Sequence, residues 1–185
     1  MMTVSVNKLT DISLAHKAIE STVRVPMKAK ATLDKIYKWE HSPTRTQLFW
    51  IEITDIPTFV SVHLVRHSAT GQQHFVQSNR PDRDGEGEAN RLTPIKHSML
   101  LNAQHLIDMS RKRLCYQASL ETRTQWLKVQ DAISKVDPDL AKYMVPNCIY
   151  RGNVCPEPKP CGNYKVRKYD PSKLTDEALG RCEVL

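Results

Sequence analysis

The chain has 185 residues, 40% of them hydrophobic and 25% charged, which suffices for one ordinary globular core and at most a tail. Six Gly and 11 Pro without a long polar tract exclude a collagen-like or low-complexity chain, and no apolar run approaches the ~20 residues of a membrane span. Lys and Arg exceed Asp and Glu, 27 against 20, for a net charge of +7; this suits anionic partners without separating nucleotides from nucleic acid or a phosphate-rich surface.

Met1 to Thr10 contain neither a basic stretch with an apolar core nor a small-residue cleavage site, so a cytoplasmic location is expected. Thr10 is placed to cap a helix carrying Leu14, Ala18 and Ile19, and Ala29, Leu33, Ile36 and Tyr37 fit a second helical face. His41-Ser42-Pro43-Thr44 breaks that pattern. Leu48 to Thr54, rich in aromatic and β-branched residues, reads as a strand. Pro57 opens Thr58 to His67, whose apolar residues fit either a helix with Pro at its start or a buried strand. Gln72 to Arg80 reads as another strand ending at Pro81, and residues 82–88 as a solvated loop.

Ile95, Met99, Ala103, Leu106, Ser110 and Leu114 recur at steps of three or four and predict a helix from Pro94. A second stripe, Ala118, Thr122, Trp126, Val129, Ile133 and Val136, runs to Asp137-Pro138, where Asp caps and Pro begins a short helix through Tyr143. Beyond Val145 periodicity is lost. The expected division is a single domain over residues 1–145 and an irregular Cys- and Pro-containing arm over 146–185.

The densest polar set is Arg66-His67 at the end of one apolar segment and Ser78-Asn79-Arg80 at the end of the next. Guanidinium groups, an imidazole and a hydroxyl at neighbouring element ends can grip phosphate oxygens, because Arg offers paired donors that match a phosphate face. The plainer reading is a solvated sheet edge, and composition alone favours it.

Thr58 to His67 followed by Gln77-Ser78-Asn79-Arg80 resembles the signature of flavin-dependent thymidylate synthases, Q-L-V-R-H-R, a spacer, then S-x-R-Y. Arg113-Leu114-Cys115-Tyr116-Gln117-Ala118-Ser119-Leu120-Glu121-Thr122-Arg123 resembles that family's helical segment R-L-C-x-x-A-Q-x-E-I-R, and Asn90 to Pro94 its A-R-x-x-L-P. The match runs from Trp39 to Trp126 and marks a divergent, shortened, phage-type relative. Departures fall at His63 for Gln, Ser68 for the third residue of R-H-R, Pro81 for Tyr and Ser119 for Gln, with a longer spacer after His67 and a shorter insertion before Pro94.

The resemblance implies an α+β fold, an antiparallel sheet packed with helices, in which Leu48 to Thr54 and Gln72 to Arg80 supply strands and Pro94 to Arg123 supplies long helical packing. It implies a homo-oligomer, a tetramer in the family. FAD would mediate one-carbon transfer from methylene-tetrahydrofolate to dUMP, with NADPH as reductant. Arg66, His67 and Arg113 would lie against the flavin nucleotide, Ser78, Arg80 and Arg91 would hold the dUMP phosphate, and Arg123 would polarise the uracil ring. No protein nucleophile is needed, since the flavin carries the hydride chemistry. The missing motif residues leave an alternative: a non-catalytic nucleotide-binding or assembly protein with the same fold.

Other polar groups carry plainer expectations. Cys148, Cys155, Cys161 and Cys182 lack the close pair typical of zinc sites and read as ordinary thiols, so no zinc is expected. Cys115 reads as core. His97, His105 and Asp108 read as solvated polarity on the helix from Pro94. Arg111-Lys112-Arg113, Lys165 to Lys168 and Lys173 read as a solvated face and a basic tail instead of a nucleic-acid surface, since aromatic residues interleave only at Tyr164 and Tyr169.

Overall fold

Alternation decides the central strand. In β2 (Leu48–Pro57) Phe49, Ile51 and Ile53 are buried while Trp50, Glu52 and Thr54 lie on the opposite face, the period-2 pattern of a sheet covered on one side. The computed structural model describes residues 2–24, 30–67, 71–78, 80, 82, 90–163 and 167–168. Among them β2 pairs antiparallel with β1 (Val4–Lys8) on one side and with β4 (Pro94–Asn102) on the other, and β3 (Gln73–Val76) closes the order β1-β2-β4-β3 at the far edge. The β2–β4 register slips between Ile53 and Ile56, where Asp55 takes a left-handed φ of 54°. The added residue returns Ile56 to the buried face.

Helices cover that face. They are α1 (Ile12–Glu20), α2 (Leu33–Trp39), α3 (Thr58–Val65), α4 (Ala103–Arg113) and α5 (Leu120–Val136), followed by the short α6 (Pro138–Ala141) and α7 (Asn147–Tyr150). A 3-10 turn spans Ser42–Thr46, at the expected break. The stripe read on α5 is the buried one: Thr122, Trp126, Val129 and Ile133, with Trp126 Nε1 donating to Ser110 Oγ at 2.8 Å. Asp137 caps α6 as expected, accepting the Leu140 N–H, and its second carboxylate oxygen accepts from Tyr37 and Lys8 at 2.6 and 2.7 Å. None of the helices among the described residues is long and apolar enough to cross a membrane.

Several expectations are corrected. Pro94 to Asn102 is a strand. Ile95 and Met99 satisfy helical steps, but Ile95, His97, Met99 and Leu101 are all buried, with Ser98 the one further buried residue of the strand, and two neighbouring strands fix the period at 2. The helix begins only after Asn102, which caps it in a box with His105. Arg113 to Arg123 is no single helical segment: α4 stops at Arg113, a turn follows, and Ser119 caps α5. Asp11, and not Thr10, caps α1; the Thr10 hydroxyl donates to Thr46 O and accepts the Leu48 N–H. Strand β1 was not signalled, because Val4 and Val6 give too short an alternation.

Thr58 to Val65 resolves as a helix. Its first free N–H groups, on Thr58 and Phe59, donate to Thr93 O and Arg91 O at 3.0 Å each. The strand expected over Gln72 to Arg80 covers only Gln73–Val76. Arg167–Lys168 pairs parallel with Val154–Cys155. Ala29, Ser68, Asn79, Pro81, Tyr164, Lys165, Tyr169, Lys173 and Cys182 lie outside the described residues.

Candidate functional site: a cationic cluster beside an apolar cleft

Where α3 ends, its last turn tightens: Arg66 N–H donates to Val62 O and His67 N–H to Leu64 O. This delivers Arg66 and His67 to the edge of the sheet. Between α3 and the β3–β4 pair lies a cleft of about 570 Å³, walled by Val65, Val76 and Ile95 and edged by Ser61, Arg66 and Gln77. Apolar walls with a few polar groups at the rim fit a ring-bearing ligand with an anionic end.

Three of the cations expected to bind anions converge on His63. Arg113, at the end of α4, donates from Nη2 to the His63 carbonyl. Arg91 stacks on Phe59 at 4.9 Å, and Phe59 meets the His63 ring edge-on at 5.8 Å. His63 Nδ1 lies 2.8 Å from Thr122 Oγ1, itself 2.9 Å from Ser119 Oγ. Burial, then the charges of Arg113, Arg66 and Arg91, hold the His63 imidazole below its usual pKa, against the opposing charge of Glu121. Burial and Arg66 also lower Arg113. Among the described residues none of Arg66, Arg91 and Arg113 is ion-paired, and the buried Nε of Arg113 has no hydrogen-bond partner there. Packed cations with a spare donor favour an anion.

His67 adjoins the cluster as a neutral ring. Burial, Arg113, His74 and Lys112 push it down to about 4, so near neutral pH it contributes hydrogen bonding and not charge. A second polar line, missed in the sequence, crosses the sheet: Ser61 Oγ to His97 Nδ1 and His97 Nε2 to His74 Nδ1, each 2.9 Å. His97 and Ser61 are buried. His97 on β4, not on a helix, is what hid this line; a period-2 reading of Ile95 to Leu101 would have turned His97 inward.

The other predicted residues stand in separate contacts. Ser78 Oγ accepts the Arg80 backbone N–H, and the exposed Arg80 guanidinium grips Asp82. Arg123, at the start of α5, rests on the Tyr116 ring at 3.9 Å, a partner the sequence reading did not name. Arg111 is no solvated face: it is ion-paired to Glu40 and Asp108 and stacks on Tyr150 at 3.6 Å. Cys115 is half-buried in the turn after α4 instead of in the core, because the helix has already ended. Cys148 and Cys155 are buried and Cys161 half-buried, with burial raising the Cys148 thiol. Among the described residues no three His, Cys, Asp or Glu side chains converge as metal ligands.

Helices on one face of an antiparallel sheet, with this cleft beside α3, have a counterpart among solved structures. Thymidylate Synthase X from Helicobacter pylori, crystallised with FAD and dUMP, aligns over 80% of this chain and 99% of its own with a TM-score of 0.62. The fold is thymidylate synthase X-like. Identity is 14%, so the likeness to thymidylate synthase X extends to the fold, an α+β arrangement as expected, and no further. No protein-family model matches the chain, and no curated protein is similar to it in sequence.

Proposed function

We propose that the chain is a thymidylate synthase-like flavoprotein acting on a pyrimidine deoxynucleotide, in a one-carbon transfer of the dUMP to dTMP type. The observation that carries this reading is the gathering of Arg66, Arg91 and Arg113 around His63 without an ion-paired carboxylate among the described residues. Three cations against the one Glu121 carboxylate that also acts on His63 leave a positive excess that favours a further anion. A dinucleotide fits the donor set: phosphate oxygens for the guanidinium groups, and the Val65, Val76 and Ile95 walls for a planar ring.

In this reading Arg66 and Arg113 hold the flavin nucleotide by charge, and neutral His67 orients it by a hydrogen bond. The Ser78 hydroxyl, Arg80 and Arg91 hold the nucleotide phosphate, while Arg123 polarises the pyrimidine carbonyls. Bound flavin supplies the hydride chemistry, with NADPH as reductant and methylene-tetrahydrofolate as carbon donor; the chain supplies position and positive charge. A second copy of the chain belongs to the reading too. The outer sheet face presents Trp50 stacked on Phe75 at 5.4 Å, an apolar surface suited to subunit packing.

The test is flavin retention. Purified protein should be yellow, or should quench FAD fluorescence on titration, and Arg113→Met should weaken that binding at least tenfold with a folded far-UV spectrum. A colourless protein that gains no flavin signal overturns the reading. It would favour a nucleotide-binding or assembly protein without turnover.

A further inference from the structure

Ser61 on α3, His97 on the inner strand β4 and His74 on the edge strand β3 form one unbroken line, with both joints at 2.9 Å. We propose that this line is a proton-transfer chain serving the cleft beside α3, and that the cleft takes a ligand whose N–H or O–H group exchanges a proton with Ser61. The proposal rests on the cleft being a ligand site, but not on the ligand being a flavin.

Two neutral proton arrangements satisfy both joints. In one, His74 Nδ1–H donates to His97 Nε2 and His97 Nδ1–H donates to Ser61 Oγ, leaving the Ser61 hydroxyl proton free for a ligand. In the other, Ser61 donates to His97 Nδ1 and His97 Nε2–H donates to His74 Nδ1, so both rings carry their proton on Nε2. The rings must therefore switch together. The far end of the line, His74 Nε2, is buried and has no hydrogen-bond partner among the described residues, so it can serve as lone pair or donor without breaking another bond. The near end, Ser61, borders the cleft between Arg66 and Gln77.

The step balances. A basic atom of the ligand takes the Ser61 hydroxyl proton, Ser61 Oγ takes the proton from His97 Nδ1, and His97 Nε2 takes the proton from His74 Nδ1. Motion of the half-buried His74 ring on the edge strand brings its Nε2 to solvent acid, from which it takes a proton, and every protein group ends neutral; the reverse order removes a proton from the ligand. A relay of this kind requires uncharged rings, because an imidazolium at His97 would donate at both joints and hold His74 in its Nε2–H form, which removes one of the two arrangements. The groups acting on the line fit that need: His105 on α4 bears on His74, and His67, with Arg113 and Lys112 behind it, faces the same end. All are cationic or neutral.

Histidine-selective ¹⁵N labelling with long-range ¹H–¹⁵N spectra, at about pH 7.5 where unperturbed imidazole is mostly neutral, reads each ring nitrogen in the intact protein. At rest both rings hold Nδ1–H, the arrangement that frees the Ser61 hydroxyl proton for a ligand; in Ser61→Ala, His97 and His74 should therefore both move to the Nε2–H form, although Ser61 does not touch His74, and Ser61→Thr should restore the wild-type positions. His74 nitrogens that stay unmoved in Ser61→Ala, or that fail to return in Ser61→Thr, overturn the chain. FAD serves as the ligand probe. Absence of a flavin signal while His74 still answers to Ser61→Ala overturns the flavin reading alone, whereas bound flavin with His74 unmoved by Ser61→Ala overturns the chain alone.

Discussion

Arg80 grips Asp82 in a two-pronged pair, Nε to Oδ1 at 2.9 Å and Nη2 to Oδ2 at 2.8 Å, on the protein surface. The carboxylate occupies the fork that the proposed function assigns to a nucleotide phosphate. An exposed pair of this kind is worth only ~0–1 kcal/mol, so a doubly charged phosphate can displace it. Asp82→Asn should raise dUMP affinity by up to about fivefold with an unchanged melting temperature. Calorimetric titration in which Asp82→Asn binds dUMP no better than wild type removes Arg80 from the phosphate site.

Acid should destabilise the fold through His97. Its pKa is pushed down to about 4, first by burial and then by His74, against an ordinary value near 6.5. The unfolded chain therefore binds more protons between these values. Stability from this group is fully present above about pH 6.5 and is lost as pH falls toward about 4, on the order of 3 kcal/mol at about 1.36 kcal/mol per pKa unit. His97→Gln should flatten the pH dependence of urea-unfolding free energy over that window. An equally steep profile in the variant would assign the acid sensitivity to other groups, His67 first.

Asp137 should be a stability residue and nothing else. Its buried carboxylate accepts from Tyr37, Lys8 and the Leu140 N–H, tying β1, α2 and α6 together. Burial and the Asp137 carboxylate both raise the Tyr37 phenol. Removing one partner of such a buried network leaves the others desolvated, at ~3–5 kcal/mol. Asp137→Ala should lower the unfolding free energy by that much, and at a temperature where the variant is folded flavin binding should be as in wild type. A loss below about 1 kcal/mol would mean that water reaches Tyr37 and Lys8.

What the sequence disclosed follows from which signals are local. The α5 stripe and the Asp137-Pro138 cap are set by neighbours within a few residues, and they stand where expected. Leu48 to Thr54 announced itself by its own β-branched and aromatic content. Pro94 to Asn102 did not, because Ile95, Met99, Ala103 and Leu106 satisfy a helical step, and only pairing with β2 and β3 selects the strand. The same non-local choice hid Ser61–His97–His74. The clustering of Arg66 with Arg113 was legible only through the motif resemblance, since 47 residues separate them (113 − 66) and no periodicity spans that distance.

Arg123 provides the sharpest separation of site from scaffold. Its guanidinium lies 3.9 Å from the Tyr116 ring, and Tyr116 is exposed, so the contact is worth only ~0.5–1 kcal/mol. Arg123→Ala should therefore cost less than about 1 kcal/mol of stability. If Arg123 polarises the pyrimidine ring, the same variant should lose turnover by a factor on the order of a hundred, the scale of removing one oriented donor from developing charge. Arg123→Lys keeps the charge but loses the planar fork and should recover little of that loss. Tyr116→Leu removes the stacking platform while leaving the guanidinium, so it should match Arg123→Ala in stability and retain most turnover. Thermal melts and steady-state rates on the three variants decide the matter: equal, small losses of turnover in Arg123→Ala and Tyr116→Leu would assign Arg123 to the turn between α4 and α5 and take it out of the site.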